Sequence, residues 1–176
     1  MRIGILSDTH SKVKRAKESL EFLISEGAEF IVHAGDVCEY ETLQLLKNCG
    51  KKYVCVYGNN DSHLAEFHNE FNLVQEPHYF KLAETSFKLM HLPYYFTPDT
   101  EVILFGHTHD FHSEFINGTL FLNPGESCAR NKPLSECVML EVKKSKFKVT
   151  YYQKTIKDKK ESDFKSTTFS YERKIS

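Results

Sequence analysis

Tryptophan is absent from this 176-residue chain, and so is any excess of charge of one sign. Lysine and arginine number 23 against 24 aspartate and glutamate residues, which gives a formal net charge of -1 at pH 7. A chain without a basic excess has no overall field to hold nucleic acid or an anionic membrane, so either contact would need a local patch. The composition therefore disfavours a nucleic-acid partner.

Long hydrophobic runs are also missing. The longest, such as Glu101–Phe105, fall far short of the ~20 apolar residues that cross a bilayer. The N-terminal segment lacks the extended apolar core of a signal peptide, because the acidic Asp8 arrives too soon. We therefore expect no membrane partner and a cytoplasmic location.

Cysteine spacing excludes two further classes. The five cysteines are odd in number and show no C-x-x-C pair, which argues against a disulfide framework or a zinc ribbon. We interpret most of them as small buried apolar residues. They lie at positions Cys38, Cys49, Cys55, Cys128 and Cys137.

The chain has enough apolar surface for one core, since 40% of its residues are hydrophobic and 13% aromatic. In the first half, three β-branched runs alternate with stretches in which apolar residues recur at helical spacing. Strand, helix, strand in this order predicts βαβ units and a parallel sheet. The predicted strands are Arg2–Ser7, Glu29–Ala34 and Lys52–Tyr57.

The second half is rich in strands. The pair Asn117-Gly118 between two alternating runs is a strong hairpin signal, and it predicts a mostly antiparallel second sheet. The strands expected there are Tyr79–Leu82, Phe87–Met90, Val102–Phe105, Phe111–Ile116, Thr119–Leu122, Glu136–Val142 and Phe147–Tyr152.

The end of the chain is polar and lacks a convincing period. We predict a single domain over residues 1–153 and a polar C-terminal extension over 154–176, solvated or lying loosely on the surface. Eight lysines and one aspartate fall between Lys143 and Lys160. A contact with a polyanion or a partner subunit, including a second copy of the chain, therefore stays open.

Side chains able to bind metal ions follow the strands at the point where each strand ends. The carboxyl ends of strands in an open parallel sheet share one edge, where ligands bind in a crevice. We therefore expect these side chains to face one crevice. They are Asp8, His10, Asp36, Asn59, His91, His107 and His109.

Carboxylate, imidazole and amide oxygen together form the ligand set of divalent ions such as manganese, iron or zinc. Seven such groups exceed the coordination of one ion and suit two ions that share a carboxylate. Taken singly, each motif has an ordinary explanation, because Asp, Asn and Ser at strand ends are common turn and N-cap residues.

The ordered series Asp8-x-His10, Gly35-Asp36, Gly58-Asn59-x-Asp61, His91 and Gly106-His107-x-His109 resembles the calcineurin-like metallophosphoesterase superfamily. The short length and Asn123-Pro124-Gly125 resemble its compact YfcE-type phosphodiesterases. This resemblance implies an α/β fold, a four-layer αββα sandwich of two mixed sheets flanked by helices. It also implies hydrolysis of a small phosphoester by a metal-bridging hydroxide at a dinuclear centre.

Carried over to this sequence, the resemblance assigns two sets of ligands. One ion would bind Asp8, His10, Asp36 and His109. The other would share Asp36 and bind Asn59, His91 and His107, and we expect the catalytic centre at Asp36, Asn59 and His91. Manganese suits this donor mixture best, with iron, zinc or nickel as alternatives.

Several positions depart from the family pattern or remain open. Asn60 stands where many relatives carry a histidine that can protonate the leaving oxygen, and an amide cannot do so. Asp61 could orient a ligand imidazole, and Arg130 is either a phosphate contact or an ordinary surface residue.

The segment between His91 and His107 has only 15 residues, so the covering of the site is expected to be trimmed. His91 could instead be a strand-end histidine packed near Tyr94 and Tyr95. Glu126 replaces the serine of the family's Asn-Pro-Gly-Ser, and we expect it either to add negative charge near the phosphate or to turn away.

Two other functions compete with a phosphodiesterase acting on a small phosphorylated substrate. The same fold serves as a non-catalytic protein-binding scaffold in the retromer vacuolar-sorting subunit, where the site is degenerate. A nuclease would share the catalytic core but needs a basic groove.

Overall fold

The strands and helices of the first half alternate as the apolar pattern predicts. The computed structural model describes residues 1–157 and 160–173 of the chain. Helix α1 (Val13–Ser25) buries Ala16, Leu20 and Leu23 on one face, while lysine and glutamate side chains pair four residues apart on the exposed side. The elements are β1 (Arg2–Leu6), α1 (Val13–Ser25), β2 (Phe30–His33), α2 (Tyr40–Asn48), β3 (Lys52–Val56), a 3₁₀ helix (Ser62–Phe67) and β4 (Leu73–Val74).

The second half is built of strands joined by short turns. Asn117 and Gly118 both adopt positive φ angles, as a tight hairpin turn requires. The strands are β5 (His78–Leu82), β6 (Thr85–Leu89), β7 (Val102–Leu104), β8 (Phe111–Ile116), β9 (Thr119–Pro124), β10 (Leu134–Val142), β11 (Lys146–Lys157), β12 (Lys160–Glu161) and β13 (Lys165–Glu172).

Two mixed sheets result. The described strands of the first run in the order β12-β11-β10-β1-β2-β3-β4, with β13 also paired to β11, and β1 to β4 are mutually parallel. The second sheet runs β5-β6-β7-β9-β8, with parallel pairing of β7 to both β6 and β9. The second sheet is therefore less antiparallel than the hairpin signal predicts.

Apolar side chains form two main cores. One lies between the sheets and includes Ile5, Phe87 and Leu104, all fully buried. The other lies between the first sheet and α1 and α2, where Leu23 and Leu43 are fully buried. No helix among the described residues is long and apolar enough to span a membrane.

The outer face of the second sheet carries an irregular segment over residues 90–101. Phe96 packs edge-on against Phe105, with ring centroids 5.0 Å apart. Lys88, whose side chain is 1% exposed, holds the segment by donating to the carbonyl oxygens of Tyr95 and Thr97. These contacts hold the short segment between His91 and His107 against the sheet.

The polar tail is more ordered than the sequence predicts. Strand β13 pairs antiparallel with β11 along its length, and Phe169 and Tyr171 pack against the core between the sheets. Phe111 of the second sheet stacks on Phe169 with ring centroids 5.6 Å apart. The predicted boundary between residues 153 and 154 falls within β11, and residues 158–159 and 174–176 of the predicted extension lie outside the described residues.

Strand register brings the ends of both sheets to the same place. Leu6 pairs with His33, and His33 with Cys55, so β1, β2 and β3 end side by side. In the second sheet, Leu104 pairs with both Leu89 and Leu122. The loops that follow these strands carry all seven predicted metal ligands.

Candidate metal centre

Three of the predicted ligands, Asp8, His10 and His109, form what we call the first half of the site. His109 Nε2 lies 3.3 Å from Asp8 Oδ1 and 3.4 Å from His10 Nε2. All three residues are at least nine-tenths buried. Side-chain atoms from both sheets thus meet in a space that little water can enter.

Asn59, His91 and His107 form the second half. Asn59 Oδ1 lies 3.1 Å from His91 Nε2 and 3.0 Å from His107 Nδ1. His91 is fully buried and its Nδ1 lies 2.8 Å from the carbonyl oxygen of Ala34, whereas Asn59 and His107 are exposed. His91 points into the site rather than packing near Tyr94 and Tyr95.

Asp36 lies between the halves and is 2% exposed. Its Oδ2 is 3.6 Å from His10 Nε2, and its Oδ1 is 3.5 Å from His91 Nε2. One carboxylate therefore presents a separate oxygen to each half, which is the arrangement that a shared ligand needs.

The donor atoms fit a divalent cation. Asp8 Oδ1 is buried and has no hydrogen-bond partner, which costs free energy unless a positive charge lies nearby. The ligand atoms of Asp8, Asp36 and His91 lie within 4.8 Å of one another, in the space such an ion would fill. Oxygen and imidazole nitrogen are suitable donors for manganese, iron or zinc.

The backbone at the site is strained. Five predicted ligands adopt left-handed φ angles between 42° and 68°, a conformation that costs about 1–3 kcal/mol for a residue with a side chain. The residues are Asp8, His10, Asp36, His107 and His109. Such strain persists where surrounding contacts over-determine the backbone, as at many functional sites.

Two glycines of the motifs are required by close packing. A Cβ atom on Gly58 would lie 2.2 Å from both the backbone nitrogen and Oδ1 of Asp36. A Cβ atom on Gly106 would lie 2.2 Å from Ser7 Oγ and 3.0 Å from Asp8 Oδ2. The glycines let the loops approach closely enough to gather the ligands.

Burial and charge shift the ligand pKa values in opposite directions. Burial raises the pKa of Asp8 and lowers that of His10. For Asp36, burial alone would raise the pKa, but His91 and two hydrogen bonds from Asn60 hold it well below its ordinary value. A bound cation would favour the ionised form of both carboxylates.

Asp61 and Asn60 support Asp36 and its neighbours. Asp61 Oδ2 accepts the backbone N–H groups of Val37 and Gly58, and its Oδ1 accepts that of Cys38. Asp61 therefore joins two ligand loops through their backbones, whereas the sequence suggested that it orients an imidazole. Asn60 donates from its backbone N and from Nδ2 to Asp36, over 3.0 and 2.8 Å.

Two buried or partly buried glutamates contact ligand histidines, and the sequence did not predict either role. Glu126 is fully buried and contacts His109 Nδ1. Glu76 accepts the backbone N–H groups of His91 and Leu92. Of the two possibilities for Glu126, it turns away from the cleft.

Three of the five cysteines are buried, as predicted, but two of the five lie at the site. The Cys38 Sγ atom is 3.5 Å from His10 Nδ1, and Cys128 groups with His10 and His109. Burial, with the charges of nearby carboxylates, raises the pKa of both thiols to about 12, which disfavours the nucleophilic thiolate. Cys55 and Cys137 are core residues, as predicted.

A cleft of about 390 Å³ opens beside the first half. Its lining includes His10 and Asn60 together with the cationic side chains of Lys12 and Arg130, both exposed. Arg130 is thus exposed and also lines the cleft, which is compatible with both of its interpretations.

Comparisons with known proteins identify the fold. The model of the calcineurin-like phosphoesterase superfamily domain matches residues 1–145. The phosphodiesterase MJ0936 of Methanocaldococcus jannaschii is 24% identical over 161 residues, which cover 84% of this chain and 97% of that protein. The resemblance seen in the sequence motifs is thereby confirmed.

Two solved structures share the fold. An archaeal phosphodiesterase superposes with a TM-score of 0.73 at 21% identity, covering 96% of this chain and 100% of the other. Vps29 of Chaetomium thermophilum superposes with a TM-score of 0.78 at 13% identity, covering 100% of this chain and 97% of the other. From its ordered motifs, its two-sheet fold and its match to the family model, the chain belongs to the calcineurin-like phosphoesterase superfamily.

Proposed function

We propose that the chain is a phosphodiesterase that hydrolyses a small phosphorylated substrate with the help of two divalent cations. The observation that carries this proposal is the position of Asp36, whose two oxygens face His10 and His91 respectively. One ion would be held by the first half and one by the second, with Asp36 shared.

Two bound cations would lower the pKa of a water between them and stabilise negative charge on the attacking and leaving oxygens. The chain's own contribution is to fix the geometry. Asn60 holds both oxygens of Asp36, and Asp61 fixes the loops on either side. Water as nucleophile agrees with the raised thiol pKa values of Cys38 and Cys128.

The cleft favours an anionic substrate. Lys12 and Arg130 supply positive charge at its wall, and a guanidinium can bind two phosphate oxygens at once. We infer that Arg130 orients the phosphoester and that Asn60 lines the cleft beside it.

The leaving group must depart without a proton from position 60, because an amide is no acid near neutral pH. This restriction favours activated diesters, such as aryl diesters, over alkyl monoesters. Manganese is the proposed ion because carboxylate, imidazole and amide donors suit it.

Metal analysis of the purified chain, combined with hydrolysis of bis(4-nitrophenyl) phosphate in added Mn²⁺, tests the proposal. We expect two ions per chain and a loss of activity in Asp36→Asn. Asp163→Asn, which changes an exposed aspartate on the tail, serves as the matched control and should keep full activity. Two bound ions without hydrolysis of any phosphoester would contradict the proposal.

A non-catalytic protein-binding scaffold is the second candidate. It is favoured by aromatic side chains exposed near the second sheet, with Tyr94 72% and Tyr95 45% exposed. The similarity of the fold to that of Vps29 agrees with a scaffold function. A metal-replete chain that hydrolyses no phosphoester would favour this candidate.

A nuclease has weaker support. Two lysines of the basic stretch are paired with acids, Lys148 with Glu141 at 3.1 Å and Lys154 with Glu18 at 2.9 Å. Paired lysines have less charge to offer to a nucleic-acid backbone.

A further inference from the structure

Glu126 is a fully buried carboxylate surrounded by donors. Its Oε1 accepts the backbone N–H groups of Asn131 and Lys132 over 2.8 and 3.0 Å. Its Oε2 contacts His109 Nδ1 and accepts the Asn131 backbone N–H over 3.1 Å and the Cys128 thiol over 3.4 Å. Because an ionised carboxylate can only accept hydrogen bonds, the ring nitrogen that faces it must carry the proton.

The other ring nitrogen of His109 points the opposite way. Its Nε2 faces Asp8 Oδ1 and His10 Nε2, at 3.3 and 3.4 Å. With the proton on Nδ1, this Nε2 has a free lone pair directed at the first half of the site. A metal-binding histidine commonly has its second nitrogen tied to a carboxylate in this way, which fixes the ring and its tautomer.

We propose that Glu126 is a positioning residue that holds His109 in the Nδ1-protonated tautomer, and so keeps Nε2 available to a divalent cation. The proposal rests on the proposed function for the existence of that cation. It also explains why a buried carboxylate is tolerated here, since three donors besides His109 compensate its charge.

Glu126→Gln tests this role, because the contacts of the side chain dictate which way its amide points. Oε1 accepts both backbone N–H groups, whereas Oε2 accepts only the longer bond from Asn131, so the amide oxygen is favoured at the Oε1 position and the NH₂ group then faces His109 Nδ1. We expect His109 to accept there and to shift its proton to Nε2, which blocks the lone pair.

The first readout is the tautomer of His109 in the metal-free protein. Long-range ¹H–¹⁵N spectra at about pH 8, above the ordinary histidine pKa, distinguish a protonated from an unprotonated ring nitrogen. Loss of the signal in His109→Ala assigns it. The wild type should show Nδ1–H, and Glu126→Gln should show Nε2–H.

The second readout is Mn²⁺ affinity by calorimetry, where Glu126→Gln should bind the tighter ion about 10- to 100-fold more weakly. Glu136→Gln is the matched control, because Glu136 is 1% exposed and contacts the Glu126 backbone nitrogen but is not bonded to His109. The control should keep both the tautomer and the affinity of the wild type.

The outcomes separate the two proposals. A wild type that binds Mn²⁺ with His109 protonated on Nε2 would overturn the role of Glu126, as would a Glu126→Gln variant with unchanged tautomer and affinity. A wild type with Nδ1–H that binds no Mn²⁺ would refute the proposed function instead. If Glu126→Gln does not fold, the wild-type tautomer alone decides.

Discussion

The two halves of the candidate site differ in how firmly the fold holds them. Asp8, His10 and His109 are buried and supported from behind by Glu126 and by Ser7, which donates to Asp8 over 2.6 Å. In the second half, only His91 is fully buried, whereas Asn59 and His107 are exposed. Ligands with less freedom to lose bind an ion with less entropic cost, so the first half should bind its ion more tightly.

The largest expected effect comes from two variants, each of which removes one histidine from one half. We expect His109→Ala to weaken the tighter ion by more than about 100-fold, beyond the usual effect of losing a supporting contact. His107→Ala should reduce the metal content from two ions to one while the remaining ion keeps its affinity. Metal analysis after dialysis and calorimetry with Mn²⁺ measure both.

The exposed His112, outside both halves, provides the control for these variants. His112→Ala should retain two ions with unchanged affinity. Equal losses in His107→Ala and His109→Ala would show that the two halves are equivalent.

Asp61 connects the loop of Asp36 with the loop of Asn59, so its substitution should loosen both loops together. In Asp61→Asn, an amide NH₂ would face backbone N–H groups in a fully buried position. We expect a loss of about 1–3 kcal/mol in the free energy of unfolding, measured by urea denaturation of the metal-free protein. Asp163→Asn should be unchanged, and a stable Asp61→Asn would contradict the role of Asp61.

Asn60→His sharpens the comparison on the substrate side, since residue 60 lines the cleft beside the first half. An imidazole there can protonate a leaving oxygen, so turnover of an alkyl phosphoester should rise by about tenfold, below the full 10²–10⁴ of a positioned acid. Turnover of the aryl diester gains nothing from the acid and loses the Nδ2 hydrogen bond to Asp36, so it should not rise. The ratio of kcat/KM values for the two substrates measures the effect, and an unchanged ratio would refute the explanation.

The smallest effect concerns the segment that follows His91. Lys88 Nζ lies 2.5 Å from Asp99 Oδ1 and lowers the pKa of that carboxyl. The stabilisation that this ion pair gives the folded protein is complete above the pKa of about 3.9 that Asp99 has in the unfolded chain. It is lost as the pH falls through the lower pKa of Asp99 in the folded protein. Because the Asp99 side chain is 43% exposed, we expect the ion pair to contribute less than about 1 kcal/mol to the free energy of unfolding.

Thermal unfolding of wild type and Asp99→Asn from about pH 7 to about pH 2 measures this contribution. The wild type should be more stable at the upper end, and the two Tm values should converge at the lower end. A difference that persists under acid would show that the ion pair is not its source.

The gathering of the seven predicted ligands at one place could be predicted because it depends on local order along the chain. Asp8, Asp36 and Asn59 each follow a strand, and strand ends meet wherever parallel strands are in register. The parallel part of the first sheet follows from the alternation of strands and helices, whereas the second sheet was predicted from the strand-rich second half and the family resemblance.

The supporting contacts could not be predicted, because they join residues far apart in sequence. Glu76 and Asp61 reach backbone N–H groups 15 or more positions away, and no periodicity encodes such bonds. The Cys128 position was missed because a buried cysteine in a core and one beside a ligand look alike in sequence. For β13, the alternation of Phe169 and Tyr171 was an available signal within an otherwise polar stretch.

The left-handed backbone at five ligand positions has a consequence for attempts to stabilise the protein. A screen for thermostability would favour glycine at Asp8, His10, Asp36, His107 and His109, since glycine adopts that conformation without steric cost. Every such gain would delete a predicted ligand. Stability engineering of this chain should therefore be directed to other parts of the fold.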